Sequence, residues 1–142
     1  METTNIDEIT RKIKVMLVDE ECTCVLSNGE SIIKSKIRGV KPLLNFIDSN
    51  IPQMLCAADK VVGKATAFLY VLLRVKKIYA GVISKPALEI LIEHNIQCMY
   101  EELVENIINR QGTDICPFEK LVINVSNVNE AYNLIKSQIK NN

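Results

Sequence analysis

Apolar positions change their spacing several times along the chain, and each change predicts an element. Ile6, Ile9, Ile13, Met16 and Leu17 recur at helical intervals, which predicts an opening amphipathic helix ending near Asp19. Thr23 to Leu26 and Ser31 to Ile33 flank Ser27-Asn28-Gly29. Asn-Gly supplies the positive φ angles of a tight primed turn, so this stretch reads as a hairpin. Val40 to Asp48 reads as a short helix, with Pro42 in its first turn where a missing N–H costs little. Met54 to Ala58 is an apolar run of strand length leading into Asp59 and the helical pattern Val61, Val62, Ala65, Phe68, Leu69, Leu72.

The strand-then-helix pattern recurs. Ile78 to Ile83 has the character of a buried strand, and Ser84 with Pro86 starts a helix through Ala87, Leu88, Leu91 and Ile92 that ends near Asn95. Ile96 to Tyr100 reads as a short strand, Val104 to Ile108 as a helical turn and Asn109 to Cys116 as a polar loop. Pro117 starts another short helix, and Asn127 with Glu130 forms a capping box for a last helix, Val128 to Ile139, before a frayed Lys140-Asn141-Asn142. Two successive strand-helix-strand units require parallel pairing with right-handed crossovers, and the hairpin adds an antiparallel edge. The expected architecture is a three-layer α/β/α sandwich with a mixed five-stranded sheet. Residues 1–142 show no repeat or linker and read as one domain.

Composition narrows the classes of function. Of 142 residues, 48% are hydrophobic, enough for one core, and 17 basic residues balance 17 acidic ones. A zero net charge without a cationic run argues against general nucleic-acid binding. Met1 to Lys12 carries Glu2, Asp7 and Glu8 and lacks a secretory apolar core, and the longest apolar stretch, Ala65 to Leu73, is far below a bilayer's length. A cytoplasmic protein without membrane contact is expected. Five cysteines at irregular spacing, Cys22, Cys24, Cys56, Cys98 and Cys116, fit reduced thiols. Cys22 and Cys24 are assigned no chemistry.

The element order, together with Arg38-Gly39-Val40-Lys41-Pro42, Asp59-Lys60-Val61-Val62-Gly63-Lys64-Ala65, Asn109-Arg110 and Gly112-Thr113-Asp114-Ile115-Cys116-Pro117-Phe118-Glu119-Lys120, resembles a prokaryotic family that has a cytidine-deaminase-like fold and no assigned activity. The resemblance covers nearly the whole chain. It implies the fold but not the zinc chemistry. A zinc deaminase needs a His or Cys ligand with a nearby Glu on one helix and Pro-Cys-x-x-Cys opening the next. At those places stand Arg38-Gly39-Val40-Lys41 and Ala58-Asp59-Lys60-Val61-Val62-Gly63, and the sole histidine, His94, falls near the end of a later helix. No metal ligand set and no cofactor is expected.

The replacement is largely cationic. Arg38 and Lys41 approach one helix start, and Asp59, Lys60 and Gly63 should open another, so unpaired helix N–H groups and full positive charges would together suit a phosphate or carboxylate. Asp59 and Ser84 should also lie at the carboxyl ends of strands, where open α/β sheets bind ligands. The expected ligand-binding residues are Arg38, Lys41, Lys60, Gly63, Ser84, Arg110 and Asp114. Asp59 is the candidate acid/base, and Cys116, just before a Pro-started helix, the candidate nucleophile. Each has a structural alternative: Asp59 as an N-cap, Lys60 on a solvated face, Gly63 for close packing, Arg38 and Arg110 in surface ion pairs, and Cys116 packed or capping. Two functions follow: binding or turnover of a phosphorylated or nucleotide-like small molecule, or a non-catalytic interaction module. Self-association stays open.

Overall fold

The alternation of strands and helices builds a five-stranded sheet with an antiparallel hairpin at one side and parallel strands at the other. The computed structural model describes residues 2–140. Helix α1 (Glu2–Asp19) leads to the hairpin β1 (Cys24–Ser27) and β2 (Ile32–Ser35). Next come α2 (Lys41–Asp48), β3 (Cys56–Val62), α3 (Lys64–Leu73), β4 (Lys77–Ser84), α4 (Lys85–Glu93) and β5 (Gln97–Val104), followed by α5 (Pro117–Leu121) and α6 (Val128–Lys140). β1 runs antiparallel to β2 and β3, whereas β3, β4 and β5 are parallel because a helix returns the chain between each pair.

Strand alternation sends neighbouring residues to opposite faces. Val25, Cys56, Ala58 and Tyr79 pack with Ile9, Ile13 and Leu17 of α1. Cys24, Leu26, Ala57, Ile78 and Ala80 join Leu43, Phe68 and Leu91 from α2, α3 and α4 on the other face. The sheet is thus sandwiched between helices. Cys24, in β1, and Cys22, which precedes that strand, fall in these two separate clusters. The core of α3, Ala67, Phe68, Leu69 and Tyr70, is fully buried, and burial of a side chain such as Phe68 contributes about 1.5 to 3 kcal/mol. No described helix is long and apolar enough to cross a membrane.

Five expectations need correction. The hairpin loop spans four residues, 28–31, between Ser27 and its partner Ile32. Of Asn28 and Gly29 only Gly29 has positive φ, and Asn28 Oδ1 closes the loop by accepting from the N–H groups of Glu30 and Ser31. Asp59 and Lys60 do not open a helix. They continue β3, because Asp59 pairs with Cys24 on one side and Ala80 on the other, and α3 starts only after Gly63. β5 runs on past Tyr100 to Val104, as Glu102 and Leu103 pair with Val82 and Ile83. The expected turn at Val104 to Ile108 is accordingly not helical, and Ile108 bridges Ile115 instead. At the other end of α6, Asn127 Oδ1 accepts from Glu130 N–H as the capping box predicts, but Lys140 is helical, not frayed. Asn141 and Asn142, expected to fray with it, lie outside the described residues.

Candidate functional site

The two parallel strand-helix junctions are finished differently. Where β4 meets α4, Ser84 Oγ accepts from Ala87 N–H at 3.3 Å, and Pro86 occupies the first turn. Where β3 meets α3, Gly63 takes the cap position and offers no side chain. The missing acceptor arrives from α5. Glu119 Oε2 accepts from Ala65 N–H at 3.2 Å, and its Oε1 accepts from Ser84 Oγ at 3.4 Å. A Cβ on Gly63 would stand 2.5 Å from Glu119 Oε2, so glycine is required here for space, its φ of −94° being open to any residue. Burial holds the Glu119 carboxyl above its ordinary range despite these donors and the nearby Lys64 charge.

Beside this junction lies a cavity of about 350 Å³. Its walls are mostly apolar and include Val40, Leu43, Ile107 and Phe118. Arg38, Asp59, Lys60, Gly63 and Cys116 all line it, drawn together from chain segments far apart. Arg38 and Lys60 are exposed, and Asp59 is half-buried. Asp59 Oδ2 accepts a 2.6 Å hydrogen bond from the Tyr70 hydroxyl, and Oδ1 accepts from Val61 N–H at 3.2 Å. Burial outweighs these donors and pushes the Asp59 carboxyl up to about 7. Burial likewise raises the Tyr70 phenol, and the neighbouring Asp59 charge adds to the effect. Burial raises the Cys24 thiol on the adjacent strand as well.

The other expected residues are placed elsewhere. Ser84 reaches the site only through Glu119. Lys41 is the exposed first residue of α2, Arg110 is exposed in the loop before α5, and neither lines the cavity. Asp114 pairs with Lys120 and accepts from Ile115 N–H at 2.7 Å; the Lys120 contact holds its carboxyl below the ordinary range. Cys116 caps α5 by backbone geometry without a side-chain cap bond and lines the cavity wall. His94 closes α4, its Nδ1 3.0 Å from the Ile90 carbonyl oxygen. Among the described residues no group of three or more His, Cys, Asp or Glu side chains is arranged to hold a metal ion.

Sequence reasoning passed over Tyr70 and gave Glu119 only the roles of orienting a ligand or capping its own helix. Tyr70 carries the one phenol in a mostly apolar helix, and a buried phenol needs a partner, so its presence signals a polar group beneath α3. Glu119 left a fainter trace: α3 opens at a glycine with no capping side chain, which implies an acceptor from elsewhere.

Comparison with known proteins is consistent with this architecture. A family model described as a domain of unknown function, DUF1893 (TM1506), matches residues 12–139. No curated protein matches the chain significantly. Among solved structures, the crystal structure of a DUF1893 family protein (TM1506) from Thermotoga maritima is 29% identical, with a TM-score of 0.82, over 94% of this chain and 90% of that one.

Proposed function

The chain belongs to the DUF1893 family, and we propose that it binds a phosphorylated or nucleotide-like small molecule in the cavity beside β3. The observation that carries this reading is the convergence of Arg38, Asp59, Lys60, Gly63 and Cys116 on one apolar-walled chamber. Concave, mostly apolar chambers with a few converging polar groups are the usual form of small-molecule sites. The chamber takes the ring of the ligand, and Arg38 and Lys60 take its anionic oxygens by charge-assisted hydrogen bonds. The start of α3 does not serve as the anion cradle, since Glu119 already accepts from its Ala65 N–H. Asp59 supplies the polar contact deeper in the site.

The finer fold reading, a cytidine-deaminase-like scaffold without its zinc, is supported by the uninterrupted β3-α3-β4-α4-β5 run behind an antiparallel hairpin. Free cysteines throughout fit a reducing, cytoplasmic setting. Binding is favoured over nucleophilic turnover because the one histidine is engaged at the end of α4, so that Cys116 has no histidine to pair with.

Thermal unfolding with a panel of nucleoside phosphates and sugar phosphates tests the reading. A ligand at about 100 times its Kd adds roughly 2.7 kcal/mol of apparent stability. Arg38→Ala and Lys60→Ala should each weaken the shift, by about 1.5 to 3 kcal/mol of binding, while Lys140→Ala on the exposed end of α6 leaves it unchanged. Were the panel to give no shift, or all three variants to respond alike, the interaction-module reading would replace this one.

A further inference from the structure

We propose that the chain forms a two-fold dimer through the free edge of β5, which continues the sheet into a second copy and sets the two α4 helices side by side.

The two edges of the sheet are built differently. β2 is four residues long and carries Lys34, which is held by Glu20; a short edge bearing a lysine resists further pairing. β5 is eight residues long with neither lysine nor proline, and among the described residues it pairs only with β4. Every second residue of β5 therefore directs its N–H and C=O away from β4, toward the open side. Met99, Tyr100 and Leu103 are exposed along this edge.

α4 completes the surface. Lys85, Leu88 and Ile92 recur at helical spacing and share one face, while Ala87, Ile90 and Leu91 are buried against the core. The ion pair of Lys85 with Glu105, the residue that follows β5, turns the first face toward the open edge. Ile92 on that face is 64% exposed. Because α4 packs on both β4 and β5, a strand added at the usual spacing of about 4.8 Å brings α4 and its copy to about 10 Å, which is helix-packing distance. The occupant that offers an unpaired strand edge and an apolar helix face in matching places is a second copy of this chain.

Charge sets the register. A two-fold axis normal to the sheet pairs residues of like face, so one residue of β5 meets its own copy. Tyr100 on the axis pairs residues 97–103 and Glu101 on the axis pairs 98–104; every other choice pairs fewer. Glu101 opposite itself sets like charges face to face, which is destabilising. With Tyr100 on the axis the two rings meet, Met99 lies opposite the partner's Glu101, and Glu101 keeps its 3.2 Å pair with Lys14 of α1.

Sedimentation equilibrium on the intact protein is expected to give twice the 16.0 kDa chain mass at micromolar concentration. Ile92→Glu and Tyr100→Lys, at exposed positions that leave the core untouched, should each raise the dimer's Kd about tenfold or more, since each sets a charge beside its own copy. Ile32→Lys, exposed on the opposite edge, should leave the mass unchanged. Register is read in a Cys98→Ser background under mild oxidation. Tyr100→Cys should cross-link to its copy, because directly opposite residues lie about 4.5 to 5.5 Å apart at Cβ, whereas Glu102→Cys, about 14 Å from its copy, should not. A monomer throughout the micromolar range, a dimer indifferent to Ile92→Glu and Tyr100→Lys, a dimer lost with Ile32→Lys, or failure of Tyr100→Cys to cross-link overturns the proposal.

Discussion

The junctions β3–α3 and β4–α4 have the same topology and opposite characters. At β4–α4 the helix is capped within a few residues: Ser84 accepts from Ala87 N–H, Pro86 sits in the first turn, and Ser84 is fully buried. At β3–α3 the cap is a glycine, the acceptor is a carboxylate 54 residues away from the N–H it serves, and a second carboxyl sits half-buried on the preceding strand. A junction satisfied locally packs shut. One satisfied from a distance must hold another segment at a fixed spacing, and here that spacing borders a cavity with two carboxyls displaced from their ordinary range. The ligand site proposed above lies at the less economical junction.

The largest expected effect tests whether Asp59 is a strained group. Its folded carboxyl titrates higher than an unfolded one, so its contribution to stability is complete below about pH 4 and is lost as pH rises to about 7. Asp59→Asn should therefore gain on the wild type across that window, levelling above it at an advantage on the order of 4 kcal/mol. Denaturant midpoints measured from acid to alkaline pH give the comparison, and parallel profiles for the two proteins would remove the contrast between junctions.

A smaller effect compares the caps directly. Glu119→Ala leaves the Ala65 N–H without its acceptor and should cost about 2 kcal/mol, whereas Ser84→Ala, losing one local cap, should cost about 1 kcal/mol. Because the two side chains touch, the double variant should cost less than the sum by about 0.5 kcal/mol or more. Equal single costs with strict additivity would mean that the distant cap carries no more weight than the local one.

Gly63→Ala should be the mildest, about 1 kcal/mol, since the new methyl meets the end of a side chain and not backbone. In a Glu119→Ala background the obstruction is gone and the cost should fall toward zero. If the cost persists there, Gly63 is required for a reason other than the carboxylate.

The places where reading the chain succeeded and failed follow the same division. α1, α4 and α6 were legible because helical spacing and caps such as Ser84 and Asn127 are properties of neighbouring residues. The second half of β5 was not, since Glu101, Glu102 and Leu103 lie exposed on an edge strand and carry no alternation; only pairing with β4 makes them a strand. Resembling segments and expected helix starts nominated Arg38, Asp59, Lys60, Gly63 and Cys116, which meet, on the same grounds as Lys41, Arg110 and Asp114, which stay outside the cavity.

What the sequence by itself determined is therefore the order and kind of most elements, because periodicity, caps and turn residues act over a few positions. The tertiary structure decided that Asp59 belongs to a strand and not a helix cap, that Tyr70 donates to it, and that Glu119 fills the start of α3. Those outcomes depend on burial and on distances between residues remote in the chain, and no local pattern encodes either quantity.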